Sequence, residues 1–393
     1  MELRTGYKQT EGGVIPEDWE QVRLGELFCF KNGLNKEKEF FGYGTPIVNY
    51  MDVFSHPAIR ASSLNGRVFL SKHEIKNFDV RKGDVFFTRT SETTEEIGMA
   101  SVMLDDPTDT VFSGFVLRAR PLNQRLDDEF KAYCFSSTLV RKQIVSKASY
   151  TTRALTNGRI LAQVLLSSPP LPEQRAIAAA LSDVDALLSA QDKLLAKKRD
   201  IKQAAMQQLL TGKQRLPGFS GDWEVKRMGD VAPLQRGFDL PNPQLKPGSY
   251  PVVYSNGVLN FHAEFQVRGP GVVTGRSGTI GKVSFVEQDF WPHNTSLWVT
   301  NFKGNDPKFV FFLFIKVGLE RFATGSGVPT LNRNDVHAFK VSIPPSIDEQ
   351  TAIATVLSDM DAELTALEQQ RDKTRALKQG MLQELLTGRI RLV

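Results

Sequence analysis

The chain has 393 residues, 41% hydrophobic and 24% charged, the profile of a soluble globular protein too long for one ordinary core. No run of about 18 apolar residues could span a bilayer, and the polar start Met1 to Glu20 lacks a signal peptide's apolar centre, so a cytoplasmic location is expected. A net charge of +5 and a pI near 9.0 favour an acidic partner such as nucleic acid, and the isolated Cys29 and Cys134 make no metal knuckle or disulfide framework.

Both cysteines read as buried small hydrophobes. Residues 1–15 read as a polar arm. Over 16–170, short β-branched and aromatic runs separated by Gly, Pro and Asn predict a mixed, largely β domain with one short helix, Asp128 to Val145. A long helix is predicted over 171–213, its apolar stripe being Ile177, Leu181, Val184, Leu188 and Leu195, resuming near Ile201 and Leu209. Pro172 suits its first turn and Gly212 a left-handed C-cap. Residues 214–345 hold a linker, Lys213 to Gly221 marking its span, and a second such domain with a short helix, Asp306 to Phe322. A second long helix is predicted over 346–393, with Ser346 and Glu349 as a capping box and Gly388 as C-cap. Its stripe is Ile353, Leu357, Met360, Leu364, Leu367, then Leu377, Met381 and Leu385. Stripes with this spacing suit two helices packed as a coiled coil.

The chain is written twice. Glu173 to Leu216 aligns with Glu349 to Leu392 without a gap, about half of the positions being identical. Matching pieces precede each helix: Trp19-Glu20 and Trp223-Glu224, the Pro46 and Pro251 strands, Asp84 to Arg89 and Gly271 to Arg276, and Pro169-Pro170 and Pro344-Pro345. Two similar domains joined by similar helices can be related by a pseudo-twofold axis, the symmetry of a DNA backbone, while their divergence lets each half carry a different code.

The segments GYKQTEGGVIPEDWE (Gly6 to Glu20), PPLPEQRAIA (Pro169 to Ala178), LLTGKQRLPGFSGDWE (Leu209 to Glu224) and the closing LLTGRIRL together resemble the specificity subunit of type I restriction-modification systems, the HsdS family. The resemblance covers essentially the whole chain. It implies an α+β fold: two mixed, largely β target recognition domains, separated by two long antiparallel coiled-coil helices and duplicated about a pseudo-twofold axis. It also implies that each domain reads one half of a bipartite asymmetric site on double-stranded DNA. The helices would set the spacer and dock two copies of a modification (adenine-methylating) subunit, which motor-nuclease restriction subunits join. The family's specificity subunit carries no catalytic centre and no cofactor of its own.

Enzymatic alternatives fare poorly on the residues. Gly275 to Val283 resembles a phosphate-binding loop with one residue too many, and Val283 stands where Ser or Thr should hold magnesium. Ser168-Pro169-Pro170-Leu171 resembles an amino-methyltransferase motif, but Leu171 cannot stack on a flipped base. Phe322 to Gly327 echoes a cofactor glycine loop but follows a helical pattern rather than a strand. Glu129-Phe130-Lys131 matches the end of a nuclease signature and reads as a solvated helix face. The five histidines, scattered without ligand spacing, indicate no metal site. A stand-alone methyltransferase or nuclease, or a coiled-coil adaptor without DNA readout, remain the alternatives.

Base edges and phosphates are read by Arg, Lys, Asn, Ser and Thr on loops and strand ends. The candidates in the first domain are Lys31, Asn32, Arg89, Thr90, Ser91 and the stretch Tyr150 to Arg153, chiefly Thr152 and Arg153, with Asn157. In the second they are Arg236, Ser255, Asn256, Arg276, Ser277, His293, Asn294, Asn332 and Arg333. Trp19 and Trp223 read as core anchors. The acidic pairs Asp183 with Asp185 and Asp359 with Asp361 read as hydrated or partner-binding.

Overall fold

The computed structural model describes residues 5–150, 152–325 and 327–392. The chain divides into two compact units, residues 1–190 with 371–393, and residues 191–370. Each is an α+β body in which strands and short helices pack on segments of both long helices.

The first unit is built on a five-stranded sheet ordered Phe28–Asn32, Val116–Pro121, Val85–Thr88, Ala100–Met103, Ala58–Ile59. Its pairs are antiparallel except the last. Val85, Phe86 and Phe87 are buried on both faces, so this central strand reads as a continuous apolar run. The second unit repeats the plan with an antiparallel four-stranded sheet: Leu234–Arg236, Ser296–Val299, Gly271–Gly275, Val283–Val286. In each unit a two-stranded ribbon leads into a long helix, Glu20–Arg23 with Leu165–Ser168 and Glu224–Arg227 with Lys340–Ile343.

The long helices run Leu171–Leu209 and Ile347–Leu385, each roughly 58 Å at 1.5 Å per residue. Both end as expected, Gly212 and Gly388 having φ of 70°. Within the first unit Lys378 pairs with Asp185, and Tyr133 donates to the same carboxylate at 3.0 Å. Within the second, Lys202 pairs with Asp361 and Lys198 with Glu363 at 2.6 Å. As residue numbers rise on one helix they fall on the other, so the segments are antiparallel in each unit.

The duplicated Glu-Gln dipeptide is a clamp. In the first unit Glu173, 1% exposed, accepts Trp19 Nε1–H at 2.9 Å and a two-point bond from Arg391 at 2.6 and 2.7 Å. Gln174 bonds the backbone of Asp127, Arg125 and Pro169. In the second unit Glu349 takes Arg215, and Gln350 bonds Asp306 N–H and Pro344 O. The arginine three residues beyond each closing Leu-Leu-Thr-Gly, Arg215 or Arg391, thus anchors the start of the other helix.

Several expectations need correction. Cys29 is exposed, because it faces outward from the edge strand of the first sheet; only Cys134 is buried. The helix expected over Asp128 to Val145 is two, Asp128–Cys134 and Thr138–Lys147, because Ser137 caps the second by accepting Val140 N–H. The helix expected over Asp306 to Phe322 is Pro307–Val317, ended by Gly318 at φ 69°, followed by a 3-10 turn. Ile201 and Leu377 are 44% and 59% exposed; Lys202 and Lys378 take the inward positions, their stems packed and their charges paired. Lys131 is 3% exposed rather than solvated, held by Asp128 at 2.6 Å. Asp185 and Asp361 are ion-paired across the helices rather than left to water or partners. In place of a polar arm, Tyr7–Thr10 and Gly13–Pro16 form a hairpin, with Ile15 in the core. Glu349 bonds Arg215 instead of completing a capping box. Trp19 is fully buried, as its core role requires, whereas Trp223 packs only partly buried against the second core.

Candidate nucleic-acid interface

The two sheets present equivalent strand ends. In the first unit Arg89 N–H donates to Phe115 O, and Arg89 O accepts Thr156 N–H. In the second, Arg276 N–H donates to Thr295 O, and Arg276 O accepts Leu331 N–H. The same backbone frame holds both arginines, each just beyond a buried sheet strand where the chain leaves the core.

A close crossing shapes each edge. A Cβ on Gly237 would lie 2.2 Å from the His293 carbonyl oxygen, and one on Gly33 would lie 2.0 Å from that of Ser113. Only glycine admits the parallel bridges Phe238↔His293 and Leu34↔Ser113.

In the second unit the crossing gathers most of the candidates. Arg276 Nε donates to Asn294 O at 3.0 Å, Asn294's amide donates to Asp239, and Arg236 donates to the same Asp239 oxygen at 3.2 Å. His293 packs against Tyr254 with ring centroids 4.3 Å apart and planes tilted by 34°. Ser255 N–H donates to Thr295 Oγ1, which lies 3.0 Å from His293 Nδ1. Burial lowers the His293 pKa, with Asp239's charge opposing. Thr295 N–H also points at Nδ1, which makes Nδ1 the acceptor and leaves the proton on Nε2. Ser277 bridges to Thr330, and the exposed Asn256 offers its carbonyl to Lys282 at 2.5 Å. Asn332 caps the Arg333–Ala338 helix by accepting Asn334 N–H, and Arg333 is exposed in its first turn.

The first unit gathers fewer. A cavity of about 450 Å³ is lined by Thr90, Ser91 and Arg153 together with Tyr50, Glu92, Glu96 and Phe115. Arg153 lies 3.9 Å from Glu92, and Thr152 is exposed beside it; Thr151 is outside the described residues. Lys31 and Asn32 sit exposed at the end of the edge strand, the lysine bonded to Asn77 O and packed on Phe78. Asn157 caps Gly158–Ala162 by accepting Ile160 N–H, so its side chain has a structural task.

Sequence reasoning missed Asp239, Lys282, Tyr50, Glu92 and Phe115. In the sequence Lys282 stands only within a failed phosphate-loop match, and nothing there marks Phe115, which is 64% exposed just before a sheet strand. Phe322 to Gly327, the other glycine-loop echo, includes the first strand of a hairpin in which Ala323–Thr324 pairs with Thr330–Leu331; Ser326 is outside the described residues. Among the described residues no group of three His, Cys, Asp or Glu could hold a metal ion, and no helix is long and apolar enough to cross a membrane.

The chain thus holds two α+β units of one plan, each with an arginine at an equivalent polar strand end. A family model of the type I restriction modification DNA specificity domain matches residues 16–197 and again 220–374, and the chain belongs to that family. A Methanocaldococcus jannaschii protein described as the MjaX type I restriction enzyme specificity subunit is 24% identical over 98% of this chain and 97% of its own. The S subunit of a type I restriction-modification system from M. genitalium has a similar fold, with TM-score 0.61, 16% identity and 98% of each chain covered. A chain from a structure concerned with complex assembly and conformational transition of the type I R-M system matches at TM-score 0.63 and 17% identity, covering 96% of this chain and 99% of that one.

Proposed function

We propose that this chain is the non-catalytic, DNA-reading subunit of a cytoplasmic type I restriction-modification complex. Its recognition domains, residues 16–170 and 214–345, each read one half of a bipartite asymmetric site in double-stranded DNA. The helices over 171–213 and 346–393 set the spacer and dock two copies of the modification subunit, with motor-nuclease restriction subunits joining that assembly. The observation that carries the reading is the pair Arg89 and Arg276, held in one hydrogen-bond frame at equivalent strand ends but amid different side chains. Equivalent position with divergent chemistry is what reading two different half-sites requires. Methylation sequencing of DNA treated with this chain plus its modification subunit tests it. A bipartite motif is expected from the mixture, and neither methylation nor S-adenosylmethionine binding from this chain alone. A continuous motif, or methylation by the lone chain, overturns it.

A further inference from the structure

We infer that the second unit carries a preformed guanine-reading site in which Arg276 is the reader and Asp239 the residue that positions it. The inference rests on the DNA-reading function proposed above and adds the base and the division of labour.

Arg276 spends only its Nε–H inside the protein, on Asn294 O at 3.0 Å. This bond fixes the guanidinium plane and leaves both terminal nitrogens without a partner among the described residues. The carbonyl that fixes it is itself held, because the Asn294 amide and Arg236 both donate to Asp239. Arg236 and Asn294 both place one donor on Asp239 and so brace the loop that carries the carbonyl. The neighbouring His293 presents its Nε2–H beside the two terminal nitrogens of Arg276. On the major-groove edge guanine alone offers two adjacent acceptors, N7 and O6, whereas adenine sets an amino donor beside its N7. A fork of two donors therefore selects guanine over adenine.

The first unit lacks this brace. The shared backbone frame aligns Phe115 with Thr295 and so Gly114 with Asn294. Gly114 has no amide to anchor, and Thr90 and Ser91, which follow Arg89, line a cavity with Glu92, Glu96 and Arg153. Guanine reading through a braced arginine belongs to the second half-site alone.

The test uses the complex of this chain with its modification subunit and DNA duplexes bearing the motif that methylation sequencing defines. In Arg276→Ala and Arg276→Lys, preference for guanine at one position of one half-site should fall about tenfold or more, with the other half-site read as before. Intact reading of the other half-site reports that the variant is folded and assembled. Replacing that guanine with 7-deazaguanine should weaken methylation by the unsubstituted complex and have no further effect on Arg276→Ala. Asp239→Ala should relax the same position, and Asp239→Asn, which can still accept from Arg236 and Asn294, should restore it. Retained guanine preference in Arg276→Ala, or a uniform loss at every position as for a phosphate contact, overturns the assignment. A wild-type complex that yields no bipartite motif instead overturns the proposed function beneath it.

Discussion

Replacing Arg391 with alanine strips Glu173 of its cation while leaving the carboxylate in the core of the first unit. Glu173 is 1% exposed and holds Arg391 through two bonds of 2.6 and 2.7 Å, with Trp19 Nε1–H as its remaining partner. Breaking a buried pair from one side costs about 3–5 kcal/mol, because the stranded charge cannot be rehydrated. The Arg391 side chain is itself 23% exposed, which places this case at the lower end, about 3 kcal/mol. For a unit of some 150–250 residues each kcal/mol moves the melting temperature by about 2–4 °C, so a fall of roughly 6–12 °C is expected. Calorimetry should show it in the transition of the first unit, with the second unit's transition unmoved. Adding Glu173→Gln should recover much of the loss, since glutamine carries no charge and still accepts the indole N–H. An Arg391→Ala transition within about 1 °C of wild type, or a double variant no better than the single one, would refute the clamp.

Gly237→Ala should lower the stability of the second unit by about 1–3 kcal/mol, as overpacking does, and degrade one half-site's reading, because the new Cβ would lie 2.2 Å from His293 O; thermal melts and methylation sequencing together check this. Hydrogen bonds from Arg391 hold the Asp18 carboxyl below its usual 3.8. A depressed carboxylate stabilises the fold above that pH and loses its contribution as pH falls through the lowered value, so acid titrations of unfolding should be less steep in Arg391→Ala than in wild type. If the helices set the spacer, inserting four residues in both, after Ala190 and after Gln370, should lengthen each by about 6 Å and widen the spacer by one or two base pairs of roughly 3.4 Å, leaving the half-sites unchanged. An unchanged spacer in methylation sequencing would count against the ruler. Insertion in the first helix alone, after Gln208, would displace Leu209 and Leu210 from the second unit's core, so their melts should drop instead.

Much of this architecture is legible in one dimension. Duplication shows as repeated letters, and a helix buried on one stripe must repeat its apolar residues every three to four positions, so both rods and their glycine ends can be read without coordinates. The paired Arg89 and Arg276 follow from the same repetition. Tertiary structure decided what depends on neighbours distant in sequence. The apolar pattern named Ile201 and Leu377 as seam residues, but the seam takes Lys202 and Lys378, because a carboxylate on the facing helix neutralises each charge. Nothing in the order of residues says that Glu173 meets Arg391 and Glu349 meets Arg215. Nor does it say that Asn294 and Arg236 both bond Asp239 while the terminal nitrogens of Arg276 meet no partner among the described residues. Residue type states what a side chain can bond. Only the fold states which of those bonds are already made.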